Sequence, residues 1–161
     1  QIIAQDAIGR TLSKRELDDV LKTIVESMYE HLIDCIEASL RYRNSVQILE
    51  NDQVRGPKLF PEDVRATLPS LYANEEQGLN AIALVKFFLP GSYWTWYASE
   101  YDGQDTFFGL VVGHHIELGY FSYKELACLQ GPNGQVVERD LYFNPLSLEK
   151  VKAKHEMERS E

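Results

Sequence analysis

Positive charge is in short supply in this chain of 161 residues. Lys and Arg number 16 against 25 Asp and Glu, a formal net charge of -9, and most of the acidic excess falls after residue 60. No basic run occurs, so phosphate neutralisation by clustered cations has little to build on and generic nucleic-acid binding is disfavoured. Cysteine is nearly absent too: Cys35 and Cys128 lie far apart with no metal-ligand spacing, and they read as buried free thiols. No apolar run approaches the roughly 20 residues of a membrane span. No charged-then-apolar signal segment opens the chain, which points to a cytoplasmic protein with no membrane partner. The first residue is Gln1 rather than Met, as in a trimmed protein or a piece of a longer one. No GxSxG, P-loop, HExxH, GxGxxG or CxxC pattern is present, so a Ser or Cys nucleophile would rest on lone residues.

What the chain does have is a block of aromatics between Ala83 and Phe121, read as three successive strands. In the first, Ala83, Val85, Phe87 and Leu89 share a face, and Pro90-Gly91 ends it. The second places Trp94, Trp96, Ala98 and Glu100 on one face and Tyr93, Thr95, Tyr97, Ser99 and Tyr101 on the other. Asp102-Gly103 is a strong hairpin signal. The third, Thr106 to Val112, is apolar on both faces, as in a central strand covered on both sides. Neither face of this meander is fully polar, so two layers of cover are needed. Val136 to Phe143 alternates as a fourth strand.

Helices frame the block. Ser13 and Glu16 have capping-box spacing, and from Leu17 to Leu40 apolar residues recur at three- and four-residue steps. That amphipathic helix is expected to reach Leu49, or to break near Arg43-Asn44, and NDQVRGPK after it reads as a linker. Pro61, Glu62 and Asp63 open a second, short helix. Ser122 and Glu125 repeat the capping-box spacing before another. The tail from Ser147 is charged and frays beyond Ala153. The expected fold is α+β, an antiparallel sheet of about four strands with flanking helices. It divides into an N-terminal helical segment (1–58), an aromatic-rich domain (59–148) and a charged tail (149–161).

The strings PGSYWTWY, EYDG, FFG, ELGYFS and VERDLYF, in this order, resemble a bacterial family of domains of unknown function. The resemblance covers about residues 68–148, and such domains are commonly encoded on plasmids, phages and integrative elements. It implies a mobile-element or phage accessory context and no particular chemistry.

Two groups of residues are candidates for a site. The aromatic surplus Tyr93, Trp94, Trp96, Tyr97 and Tyr101 exceeds what one small core needs and suits a protein-binding face. Glu100 and Arg139 are polar residues expected in a structural ion pair, with Asp105 as the alternative partner of Arg139, or at the bottom of a pocket. Glu100, Asp102, His114, His115 and Glu117 are ligand-like, but hairpin geometry puts His114 at the far end from Glu100, and adjacent histidines on a strand point apart. No metal or cofactor is therefore expected. These readings predict a non-enzymatic module binding a protein partner through the aromatic face; the apolar stripe from Leu17 to Leu40 is expected to pack on the sheet or the C-terminal helix, with a homodimer through that helix as the alternative. The alternatives are a divalent-metal-dependent nucleic-acid-processing enzyme or adaptor using Glu100 and Asp102, and an acidic DNA mimic that occupies a basic cleft.

Overall fold

The computed structural model describes residues 11–160, and Gln1 lies outside the described residues. Helix α1 (Lys14–Val54) starts at the predicted capping box: the Glu16 amide donates to Ser13 Oγ at 3.3 Å and the Ser13 amide to Glu16 Oε2 at 2.9 Å. It runs unbroken past Arg43-Asn44 and absorbs NDQV, which the sequence assigns to a linker. The reason is tertiary. Asn51 is fully buried, its amide donates to the Ala127 carbonyl at 2.7 Å, and its oxygen accepts from the Gln47 and Gln130 amides at 3.0 and 2.7 Å. A buried, turn-prone residue whose side-chain polar atoms all find partners stays helical. Arg55, just beyond, is buried and donates through Nε to the Val137 carbonyl at 2.7 Å. The chain divides into one compact unit ending at Arg43 and another beginning at Asn44.

The second unit contains helix α2 (Glu62–Arg65), a 3-10 turn (Glu75–Asn80) and strands β1 (Ile82–Ala83), β2 (Val85–Phe88), β3 (Thr95–Tyr101), β4 (Thr106–Val112) and β5 (Ile116–Ser122). Helix α3 (Tyr123–Cys128), strands β6 (Glu138–Arg139) and β7 (Leu146–Ser147), and helix α4 (Leu148–Glu158) complete it. Five strands form an antiparallel sheet in the order β5-β4-β3-β2-β6, and β1 pairs with β7 in a separate two-stranded sheet. The architecture is α+β, with one strand more in the main sheet than the sequence suggests. The added one is β5, whose ELGYF run has an exposed Glu117 and a glycine at its centre and so alternates too weakly to be read.

Three further differences follow from local geometry. The first predicted strand splits at Leu84, so that Ile82–Ala83 pairs with Leu146–Ser147 while Val85–Phe88 pairs with β3. The fourth predicted strand shrinks to Glu138–Arg139, because Asp140 Oδ1 accepts the Tyr142 amide at 3.0 Å and turns the chain. In β3, the register against β4 shifts between Ala98 and Glu100, a β-bulge. The bulge moves Tyr101 onto the face of Trp96 and Ala98 and sets Glu100 opposite Phe108 on the other face, reversing the expected alternation from that point.

The two expected layers of cover are present as two cores. On one face Phe87, Trp96, Tyr101, Phe107 and Phe121 pack with Leu59, Phe60, Leu126 and Val137. Phe60 meets Phe107 edge-on at 4.8 Å and Tyr101 meets Phe107 tilted at 4.7 Å between centroids, while Phe107 stacks on Phe121 at 5.2 Å. On the other, Tyr97, Leu110 and Val112 pack with Ala81, Ala83, Leu148 and Val151. The last pair places α4 on the sheet. The tail therefore stays helical to Glu158, beyond the fraying point expected at Ala153.

Candidate functional site

The aromatic residues expected to form a binding face are mostly consumed by the cores. Trp96, Tyr97 and Tyr101 are buried, each under a layer of helix or loop that the strand pattern could not disclose. Tyr93 is 54% exposed and Trp94 half-buried. The two stack at 6.1 Å, Trp94 stacks on Trp96 at 5.8 Å, and the Tyr93 hydroxyl lies 3.0 Å from His114 Nδ1. Exposure falls along this ladder from Tyr93 through Trp94 to the buried Trp96. The cysteines differ from expectation as well: Cys35 is exposed on α1 and Cys128 half-buried, where burial pushes its thiol up from the ordinary value.

Glu100 and Arg139 are not partners. Glu100 is 3% exposed, and its two oxygens accept the amides of Tyr72 (2.7 Å) and Asn74 (2.6 Å). Asp105 is not Arg139's partner either: it accepts from the Ser122 hydroxyl at 2.8 Å and the Lys124 amide at 2.9 Å. Asp102 is committed in the same way. Burial opposes ionisation there, but the amides of Gln104, Asp105 and Thr106 all donate to its Oδ1 and hold the carboxyl down at about 2. Among the described residues no group of three or more His, Cys, Asp or Glu converges as metal ligands would.

Arg139 instead lines a hollow of about 410 Å3 at the β6 edge of the sheet. Lys86 and Phe88 of β2 line it, as do Arg55, Pro57 and the turn from Glu138 to Tyr142. Lys86 Nζ is 2.9 Å from Asp140 Oδ2. Burial raises the Asp140 carboxyl, but the Lys86 hydrogen bond, the Tyr142 amide and the ammonium charge outweigh it and hold the group below its ordinary value. Arg55 and Lys86 give no signal in the sequence, and Asp140 shows only as one of two carboxylates flanking Arg139. Arg55 sits in what reads as a linker, and β2 shows only that Lys86 alternates with core residues.

On the second core, Tyr97, His155 and Glu158 form a chain. His155 Nδ1 lies 3.1 Å from Glu158 Oε2, and the Tyr97 hydroxyl lies 2.8 Å from Nε2. With the Nδ1 proton directed at the carboxylate, Nε2 accepts and Tyr97 donates. Burial, then the charges of Glu158 and Asp140, push Tyr97 up to about 12, so it stays a donor. Burial lowers His155; Glu158 opposes this, while Lys154, Lys86 and Arg159 reinforce it. A neutral folded histidine binds fewer protons than the unfolded one, so its contribution is complete above the ordinary value of about 6.5 and is lost as pH falls through the lower folded value. The denaturation midpoint should drop between neutral and mildly acidic pH, and His155→Gln should flatten that drop. An unchanged slope in the variant would refute it.

In the first unit the apolar stripe of α1 is bare. Val20, Leu21, Ile24, Val25, Met28, Tyr29, Leu32, Ile33, Ile36 and Leu40 are all exposed. At 3.6 residues per turn they spread over roughly 220° of the helix circumference. Val25, Met28, Tyr29, Leu32 and Cys35 outline a shallow, almost wholly apolar groove there. No described helix is long and apolar enough to cross a membrane.

Residues 59–155 match the family described as Protein of unknown function (DUF2958), and no curated protein and no solved structure matches the chain. The matched segment runs from Leu59 at the base of the first core into α4, more than half of the chain, and the protein belongs to that family.

Proposed function

We propose that this DUF2958 protein is a non-enzymatic interaction module that assembles through α1. The observation that carries the reading is the run of ten exposed apolar side chains between Val20 and Leu40. A surface helix normally turns such residues inward, and contiguous apolar surface left in water marks an interface. The occupant proposed is a second copy, antiparallel. That orientation sets Arg43 of one helix beside Asp18 of the other, both lying within the apolar arc, whereas a parallel pair sets each against its own like charge. The apolar arc is wider than a two-stranded seam, so pairs of pairs are favoured over an isolated dimer. The plasmid, phage or integrative-element context implied by the resemblance makes this an accessory assembly whose cargo is the sheet domain. The commitment of Glu100 and Asp102 to backbone amides counts against the metal-dependent enzyme.

Light scattering coupled to size exclusion tests the reading. The full chain should run as a dimer or larger assembly at micromolar concentration. Leu32→Asp buries a carboxylate at the seam and should weaken assembly by ~3 kcal/mol, roughly a hundred-fold in dissociation constant. A wild-type chain that is monomeric at every concentration would overturn the proposal.

A further inference from the structure

The β6 edge of the sheet gathers more positive charge than its own structure uses. Arg55, Lys86 and Arg139 face one hollow in a chain whose net charge is -9. Arg55 is spoken for, donating to the Val137 and Ala127 carbonyls and pairing with Asp52. Lys86 has Asp140. Arg139 differs: its Nε is shut off from solvent and meets no acceptor among the described residues. A buried guanidinium N–H without an acceptor costs on the order of 1–3 kcal/mol. Main-chain pairing of Arg139 with Phe87 holds the residue there nonetheless.

We propose that this hollow binds a small ligand bearing an oxyanion, carboxylate or phosphate, on a flat apolar body. Arg139 takes the oxyanion. A modest turn of its side chain presents Nε–H and one terminal N–H as a fork to two oxygens, the geometry that favours carboxylate and phosphate over spherical anions. Lys86 adds a second charge, held in place by Asp140 at 2.9 Å and lying 5.7 Å over the Phe88 ring. Phe88 and the exposed Tyr142 supply the walls for the flat body. Glu138 and Asp140 leave the lining only slightly positive, so a polyanion gains little and fit decides. A volume of about 410 Å3 suits one small ring with its anionic substituent.

The experiment uses the full-length chain with phenyl phosphate and benzoate as probes, inorganic phosphate and benzamidine as controls, followed by two-dimensional NMR that includes arginine Nε–H signals. Binding of either aromatic anion should move the Arg139 Nε–H resonance downfield and shift the Tyr142 amide. Arg139→Lys keeps the charge but loses the fork and should weaken binding about ten-fold, the scale of one charge-assisted hydrogen bond. Tyr142→Ala, at a position on the surface, should weaken it without disturbing the fold. No shift at Arg139 with either probe, equal binding of benzamidine, or unchanged affinity in Arg139→Lys would overturn the proposal. Inorganic phosphate binding as tightly as phenyl phosphate would overturn the assigned ligand class.

Discussion

Replacing Gly109 by alanine is expected to unfold the sheet domain, while replacing Gly119, its direct neighbour across β4 and β5, is expected to leave it standing. The two glycines face one another in the same ladder. A Cβ built on Gly109 would lie 1.8 Å from the Tyr97 carbonyl oxygen and 2.9 Å from its carbon. Those are backbone atoms of β3, a strand hydrogen-bonded on both sides, so no side chain can swing away to relieve the contact. Relief means separating β3 from β4 next to the bulge and dismantling both cores, which share those strands. The cost should exceed about 4 kcal/mol, a large part of the stability of a domain this size. At Gly119 a Cβ meets nothing within 4 Å, and the change should stay within about 1 kcal/mol. Chemical denaturation followed by Trp94 and Trp96 fluorescence measures both. A Gly109→Ala protein with a native midpoint would mean the strands are not this close.

The same bulge shows where sequence reading stops. Strand positions with a period of two were legible for β3 and β4, and so were the Asp102-Gly103 turn between them and both capping boxes; Ser122 Oγ does accept the Glu125 amide, at 3.1 Å. These are local devices, and each is written within a few residues. A bulge inserts one residue without any mark in composition, so Tyr101 and Glu100 exchange faces unannounced. The β1 and β7 pair is two residues long on each side and leads straight into α4, whose Leu148 donates its amide to the Ala81 carbonyl at 2.9 Å. The candidate site was less legible still. Counting aromatics located the core rather than a binding face, since a pattern of large rings says that they pack and not what covers them. Arg139 was visible as a charge in a strand, but its hollow is made by Arg55 and Lys86, 84 and 53 residues earlier, through pairings that only the folded chain brings about. The apolar face of α1 was plain from spacing alone; its exposure was not.

Glu100 carries the second large expected effect. Its carboxylate receives two amides from one loop, those of Tyr72 and Asn74, and Tyr72 sits at φ 69°, a left-handed conformation that costs a bulky residue on the order of 1–3 kcal/mol. The loop is therefore held against its own preference, by Glu100 and by the Tyr101 amide donating to the Pro69 carbonyl at 2.9 Å. Glu100→Ala removes both acceptors from a buried position and should cost about 3–5 kcal/mol. Glu100→Gln keeps one acceptor and turns an NH2 toward a donor, for a loss of about 2 kcal/mol. In both variants the Tyr72 and Asn74 amides should exchange with solvent faster, well before global unfolding, because the strained loop relaxes first. A carboxylate kept for a divalent ion predicts the opposite: Glu100→Gln would preserve stability and slow exchange while abolishing a metal-dependent reaction. With both oxygens already engaged by backbone amides at 2.7 and 2.6 Å, a metal could enter only by displacing the loop, so loss of stability in Glu100→Gln and loss of metal-dependent activity would separate the two roles in one variant.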